Sequence, residues 1–213
     1  MKNYKALSIV LAIALVMVCT IGGTLAWLTA KTGTVTNTFT SAELFADPTN
    51  DFTLWEHEAV AEDDGTYSLN TNEVQGNSYD ILPGVNIPKN PTVDVVNLEE
   101  YAYLYIKVTG VPMTTGLTAT IDPTNWTALG ASYPGVYVYS GANAVNNIIK
   151  ATDAAKKTFT ATILKDNQIV VASNYAGTSD NITLEFTAYM VQATGNGANA
   201  AKAWGNTYGA QNN

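Results

Sequence analysis

Tyr101, Tyr103, Tyr105 and Lys107 alternate with Ala102, Leu104, Ile106 and Val108, and this period of two constrains the chain more than any other feature. Successive side chains of an extended strand point to opposite faces. The aliphatic set therefore predicts a face turned to a core, and the tyrosine set a partly exposed one. Short runs rich in Thr, Val, Tyr and Ile recur at residues 35–45, 52–60, 117–121, 136–139, 157–164, 168–172 and 182–193. Val93 and Val95 resume the alternation within 79–97, and Ile182, Leu184, Phe186, Ala188 and Met190 form an inward set in the last run. Gly, Pro, Asn and Asp stand between these runs, as turns of an antiparallel sheet require.

The punctuation is specific. Asp47-Pro48-Thr49-Asn50-Asp51 is a turn cluster, and Asp166-Asn167 reads as a hairpin turn. Residues 61–77 are polar and read as an exposed loop or short hairpin. Pro83-Gly84 predicts a type II turn, because proline fixes φ at the first central position and glycine accepts positive φ at the second. Pro88 and Pro91 forbid a central ladder, so their segment should run along an edge or between sheets. Only residues 142–155 and 198–204 have compositions suited to helix. About ten short strands with long-range pairings imply an all-β fold: a jelly-roll-like two-sheet antiparallel sandwich with short helical insertions.

The N-terminus has a different character. Lys2 and Lys5 precede an apolar run over residues 6–21, which ends at Gly22-Gly23 and is followed by Thr24-Leu25-Ala26. A basic start, a short apolar run and small residues at a cleavage site define a secretory signal peptide, cut between Ala26 and Trp27. The run is shorter than the roughly 20 apolar residues that span a bilayer. Retention as an anchor is the alternative, since Leu25, Trp27 and Leu28 lengthen the apolar stretch across the glycines. Cys19 follows Val18 rather than a small residue, which argues against lipid attachment, and it is the only cysteine. After cleavage no thiol remains for a disulfide, a nucleophile or a zinc site.

Ten lysines, no arginine and eighteen carboxylates give a net charge of −8, and loss of Lys2 and Lys5 lowers it to −10. Nucleic-acid partners need a cationic footprint and are excluded. His57 is the only histidine, placed between Glu56 and Glu58. A zinc hydrolase needs two or three imidazoles, and no Gly-x-Ser-x-Gly elbow accompanies His57, so no catalytic residue and no metal ligand is assigned. The acid clusters Asp47/Asp51 and Glu62/Asp63/Asp64 match no defined calcium loop. No cofactor is expected; structural calcium is the alternative. The twelve tyrosines are what strand propensity demands, which leaves carbohydrate binding as a minority reading.

The junction Gly22-Gly23-Thr24-Leu25-Ala26-Trp27-Leu28-Thr29, followed by Val35-Thr36-Asn37-Thr38-Phe39, resembles the TasA/camelysin family of Gram-positive secreted proteins. Leu82-Pro83-Gly84 leading into Val93-Asp94-Val95-Val96-Asn97 is similar to that family's turn and following strand. Residues 182–192 are similar to its closing strand, with an Ala/Trp tail from Ala201 to Trp204. Residues 88–90 and 130–153 have no counterpart. The resemblance implies a dedicated SipW-type signal peptidase, export to the cell surface or biofilm matrix, and polymerisation into fibres, with accessory matrix proteins as further partners. It also brings a surface metalloprotease into view, an activity for which one histidine is a poor basis.

These readings divide the chain into a signal peptide (1–26), an N-terminal arm (27–40) and a β-sandwich (41–213). The expected function is that of a secreted structural protein forming a head-to-tail homopolymer. Trp27, Leu28, Val35 and Phe39 sit among threonines in an arm that can form a strand but has little core of its own. Such an arm can add to an open edge of a neighbouring subunit, or fold back on its own sheet.

Overall fold

The strand expected from the tyrosine alternation is present, yet both of its faces are buried. In the computed structural model, which describes residues 44–110, 116–176, 182–195 and 199–209, β5 (Ala102–Thr109) is the centre of the larger sheet. Leu104 and Ile106 are fully buried on one face; Tyr103 and Tyr105 are buried on the other. The tyrosine face was expected to be partly exposed. A helix at the far end of the chain covers it instead, and no local pattern announces that cover.

The chain enters through α1 (Pro48–Asp51), a single turn capped by the Asp47 carboxylate, which accepts from the Thr49 and Asn50 amides. The strands that follow are β1 (Phe52–Ala61), β2 (Tyr67–Val74), β3 (Ile87–Pro88) and β4 (Thr92–Val95). After β5 come β6 (Leu117–Ile121), β7 (Trp126–Ala128), β8 (Val136–Tyr139), β9 (Ala144–Val145) and β10 (Ile148–Ile149). The chain ends with β11 (Phe159–Thr162), β12 (Leu164–Val171), β13 (Glu185–Gln192) and α2 (Ala200–Thr207). All the pairings are antiparallel.

One sheet has the order β11-β4-β1-β2; the larger runs β7-β8-β5-β10-β9, with β13 on the other side of β5; a third joins β3-β12-β6. The fold is an all-β antiparallel sandwich. Val93, Val95 and Ala161 from the first sheet meet Leu104, Ile106 and Met190 from the second in one core. Each of these side chains larger than alanine contributes about 1.5–3 kcal/mol through burial. On the outer face of the larger sheet, Tyr103, Tyr105, Val136, Val138 and Val191 pack under Ala203 and Trp204 of α2. The third sheet has a satellite core of Ile87, Leu117, Val171 and Tyr175.

Of the two readings of residues 61–77, loop or hairpin, the hairpin is the one present: β2 pairs with β1 at the sheet edge. Three further readings are corrected. Residues 142–155 form no helix; Asn146 and Asn147 both adopt positive φ and join β9 to β10 in a tight hairpin. Asp166 and Asn167 also adopt positive φ but lie inside β12, where the register against β6 jumps from Leu164/Ile121 to Ile169/Ala119. The expected hairpin turn is therefore a bulge. Leu44 and Phe45 lie outside any strand, and the rest of the expected first strand, 35–43, falls outside the described residues. The Pro83-Gly84 turn is as expected, with Val85 N–H donating to the Leu82 carbonyl at 3.1 Å and Gly84 at φ 79°. Pro88 sits in β3 at a sheet edge, also as expected.

Candidate functional site

Phe52, Leu54 and Glu56 share one parity of β1, and the first two pack against the main core. The period of two therefore carries a carboxylate inward, where Glu56 is 5% exposed. Trp55 and His57 take the opposite parity. The Trp55 indole donates to Asp94 Oδ2 at 2.8 Å, and its ring meets His57 edge-on at 4.9 Å.

The segment Pro88-Lys89-Asn90-Pro91 delivers the counter-charge. Its prolines keep it out of a central ladder, so its remaining polar groups bond elsewhere. Lys89 N–H donates to the Asn167 carbonyl at the β12 bulge at 2.8 Å. The Asn90 amide clasps His57, its Oδ1 accepting from His57 N–H at 3.0 Å and its Nδ2 meeting His57 Nδ1 at 2.8 Å. Held at both ends, Lys89 places Nζ 2.7 Å from Glu56 Oε2, with side chains only 10% and 6% exposed. The Tyr79 ring lies 5.8 Å from the same nitrogen, and its hydroxyl donates to the Pro88 carbonyl at 3.0 Å. Burial, and secondarily the Glu56 charge, raise the Tyr79 phenol well above the ordinary range, so it stays a neutral donor. Glu56 Oε1 is buried and has no hydrogen-bond partner among the described residues. A carboxylate oxygen left so carries a desolvation cost of about 1–3 kcal/mol or more.

A cavity of about 420 Å³ opens beside this pair, lined among others by Leu54, Glu56, Asn77, Lys89, Leu184 and Phe186. One wall is β13. Ala193 N–H donates to the Tyr101 carbonyl, so by the alternation of an antiparallel ladder the odd residues of β13 bond to β5, and the amides of Phe186, Ala188 and Met190 face the other way. Among the described residues no strand pairs with that outer edge. A cavity with both apolar and polar walls and a row of outward amides thus lie side by side.

Four of the acidic residues singled out in the sequence, Asp47, Asp51, Glu62 and Asp64, accept local hydrogen bonds. Asp51 Oδ2 accepts from Asp47 N–H at 3.1 Å, Asp64 accepts from the Thr66 amide and hydroxyl, and Glu62 accepts from the Ser68 hydroxyl. Among the described residues no three His, Cys, Asp or Glu side chains are grouped to hold a metal ion. Ala26, Trp27, Leu28, Val35 and Phe39 lie outside the described residues. Sequence reading missed the Glu56–Lys89 pair. Its signals were an acid on the apolar parity of a strand and a lysine enclosed by two prolines.

Fold and site together define an antiparallel β-sandwich with a cavity of mixed polarity and a buried ion pair, beside a sheet edge that is unpaired among the described residues. Comparison with family models, curated proteins and solved structures finds no match to this chain.

Proposed function

We propose that this chain is a secreted structural protein of the cell surface or biofilm matrix that assembles into fibres by exchange of its N-terminal arm. The observation that carries this reading is the outer edge of β13 beside the cavity, unpaired among the described residues. Such an edge accepts an extended segment through main-chain hydrogen bonds, and a cavity behind it takes alternate side chains. The arm supplies Leu28, Val35 and Phe39 among β-forming threonines, with no proline to block a ladder. Donated head to tail, this contact does not close on itself and builds a filament. Cleavage after Ala26 frees the arm, which couples export to assembly.

Electron microscopy of the mature protein, residues 27–213, tests this directly. Filaments are expected, and a chain lacking residues 27–39 should remain folded and monomeric. Unfolding on removal would show that the arm is an intrinsic strand of its own subunit. Chelator-sensitive cleavage of casein without filaments would support the metalloprotease alternative.

A further inference from the structure

Glu56 and Glu185 border the cavity with a single ammonium, Lys89, so its lining carries one surplus negative charge. Glu185 is exposed and accepts from Thr109 Oγ1 at 3.2 Å, so the acceptor left over inside belongs to Glu56. Glu56 Oε2 is committed to Lys89 at 2.7 Å, whereas Oε1 is buried without a partner among the described residues. A carboxylate has about four lone-pair sites and gains most from charged donors. Leu54, Val74, Pro91 and Phe186 supply apolar wall, alongside the neutral polar side chains of Gln75, Asn77, Thr183 and Thr187. A slender aliphatic stem ending in a primary ammonium matches both properties, with methylenes against the walls and the charged head at the carboxylate.

Residues 27–42 contain one charged side chain, Lys31, between Ala30 and Thr32 and followed by Gly33, none of which crowds a neighbouring groove. We propose that Lys31 of one copy enters this cavity on the next copy and donates to Glu56 Oε1, fixing the register of the donated strand. The proposal rests on the arm-exchange reading and adds to it the group that is recognised. A strand on the outer edge of β13 sends alternate side chains toward the cavity, and a slip of one residue turns all of them away. A single buried ion pair thereby selects one register from an arm whose threonine repeat would tolerate several.

The test is a double-mutant cycle on the mature chain, reading the critical concentration for filament formation. Lys31→Gln and Glu56→Gln should each raise it by about tenfold, the scale of one charge-assisted hydrogen bond. The double variant should raise it no further, because either change removes the same contact. Wild-type assembly by Lys31→Gln, or a double variant weakened by about the product of the two single effects, overturns the proposal. Should Glu56→Gln fail to fold, Lys31→Glu and Lys31→Arg decide: the first should block assembly and the second preserve it, and equal behaviour of the two overturns the proposal. Failure of the underlying reading looks different. A wild-type chain that makes no filaments, or filaments that survive removal of residues 27–39, refutes arm exchange itself. Arm-dependent filaments indifferent to Lys31 refute only the ion pair.

Discussion

The Tyr105 hydroxyl donates a 2.8 Å hydrogen bond to the Ala200 carbonyl, joining the middle of the central strand to the first turn of the C-terminal helix. Around it, the Trp204 ring packs against Tyr105, Tyr189 and Tyr208 at centroid distances of 5.1, 5.2 and 5.0 Å. The helix is capped by Asn199, whose Oδ1 accepts from Lys202 N–H at 3.0 Å. Eight residues of helix are too few to be stable alone. This aromatic contact therefore holds α2, and α2 in turn makes the tyrosine face of β5 an interior.

Removing the Trp204 ring is expected to cost about 3–5 kcal/mol, the range for a large aromatic truncated in a packed site. Tyr105→Phe should cost only about 1 kcal/mol, since it deletes one hydrogen bond and keeps the ring. Denaturant unfolding of Trp204→Ala and Tyr105→Phe measures both. A loss at Tyr105→Phe equal to that at Trp204→Ala would show that the hydrogen bond, not the packing, holds the helix.

This contact also marks the limit of what the sequence discloses. Alternation placed β5, β8 and β13, because side-chain period is local. It also gave the correct inward face for Leu104 and Ile106, which are fully buried. The second burial of Tyr103 and Tyr105 depends on a helix some ninety-five positions away, and pairing at that distance has no local signature. Asp166-Asn167 shows a subtler limit. Positive φ was legible from residue type, but the same backbone makes either a hairpin turn or a bulge, and long-range pairing with β6 selects the bulge. The candidate site was legible only in fragments, since Glu56 and Lys89 acquire meaning when β1 and the Pro88–Pro91 segment are brought together.

Lys89→Met should destabilise the fold by about 3–5 kcal/mol, because it strands the Glu56 charge in a buried site. Combining it with Glu56→Leu should recover most of that loss, since apolar groups of similar volume fill the space without desolvation. Thermal or denaturant melts of the two variants provide the comparison. A double variant as unstable as the single one would show that the lysine supports the fold through its stem rather than its charge.

Alkali should unfold the protein cooperatively. Burial holds the phenols of Tyr79, Tyr105, Tyr139 and Tyr208 above their ordinary value. The folded state therefore keeps protons that the unfolded chain releases near pH about 10. Their contribution to stability is complete below that pH and is lost as pH rises toward the folded values. The last four equivalents of phenolate absorbance should appear together with the loss of β-structure by circular dichroism, above pH about 10. Full ionisation of every tyrosine at the ordinary pH with β-structure intact would contradict the burial of these four rings.

The outer edge of β13 offers a separation between folding and assembly. Ala188 N–H points away from β5 by the parity of the ladder, so Ala188→Pro removes an outward donor and no β5 hydrogen bond. Proline is tolerated at such edge positions, and the added ring places bulk where a donated strand would lie. Circular dichroism should therefore report a folded chain with a modest loss of stability, while filament formation is abolished. Thr187→Pro is the control, because its N–H faces Lys107 across the ladder and its loss should destabilise the fold itself. Filaments from a folded Ala188→Pro chain would place the assembly contact away from β13, whereas loss of assembly only in the unfolded control would leave this edge without a role.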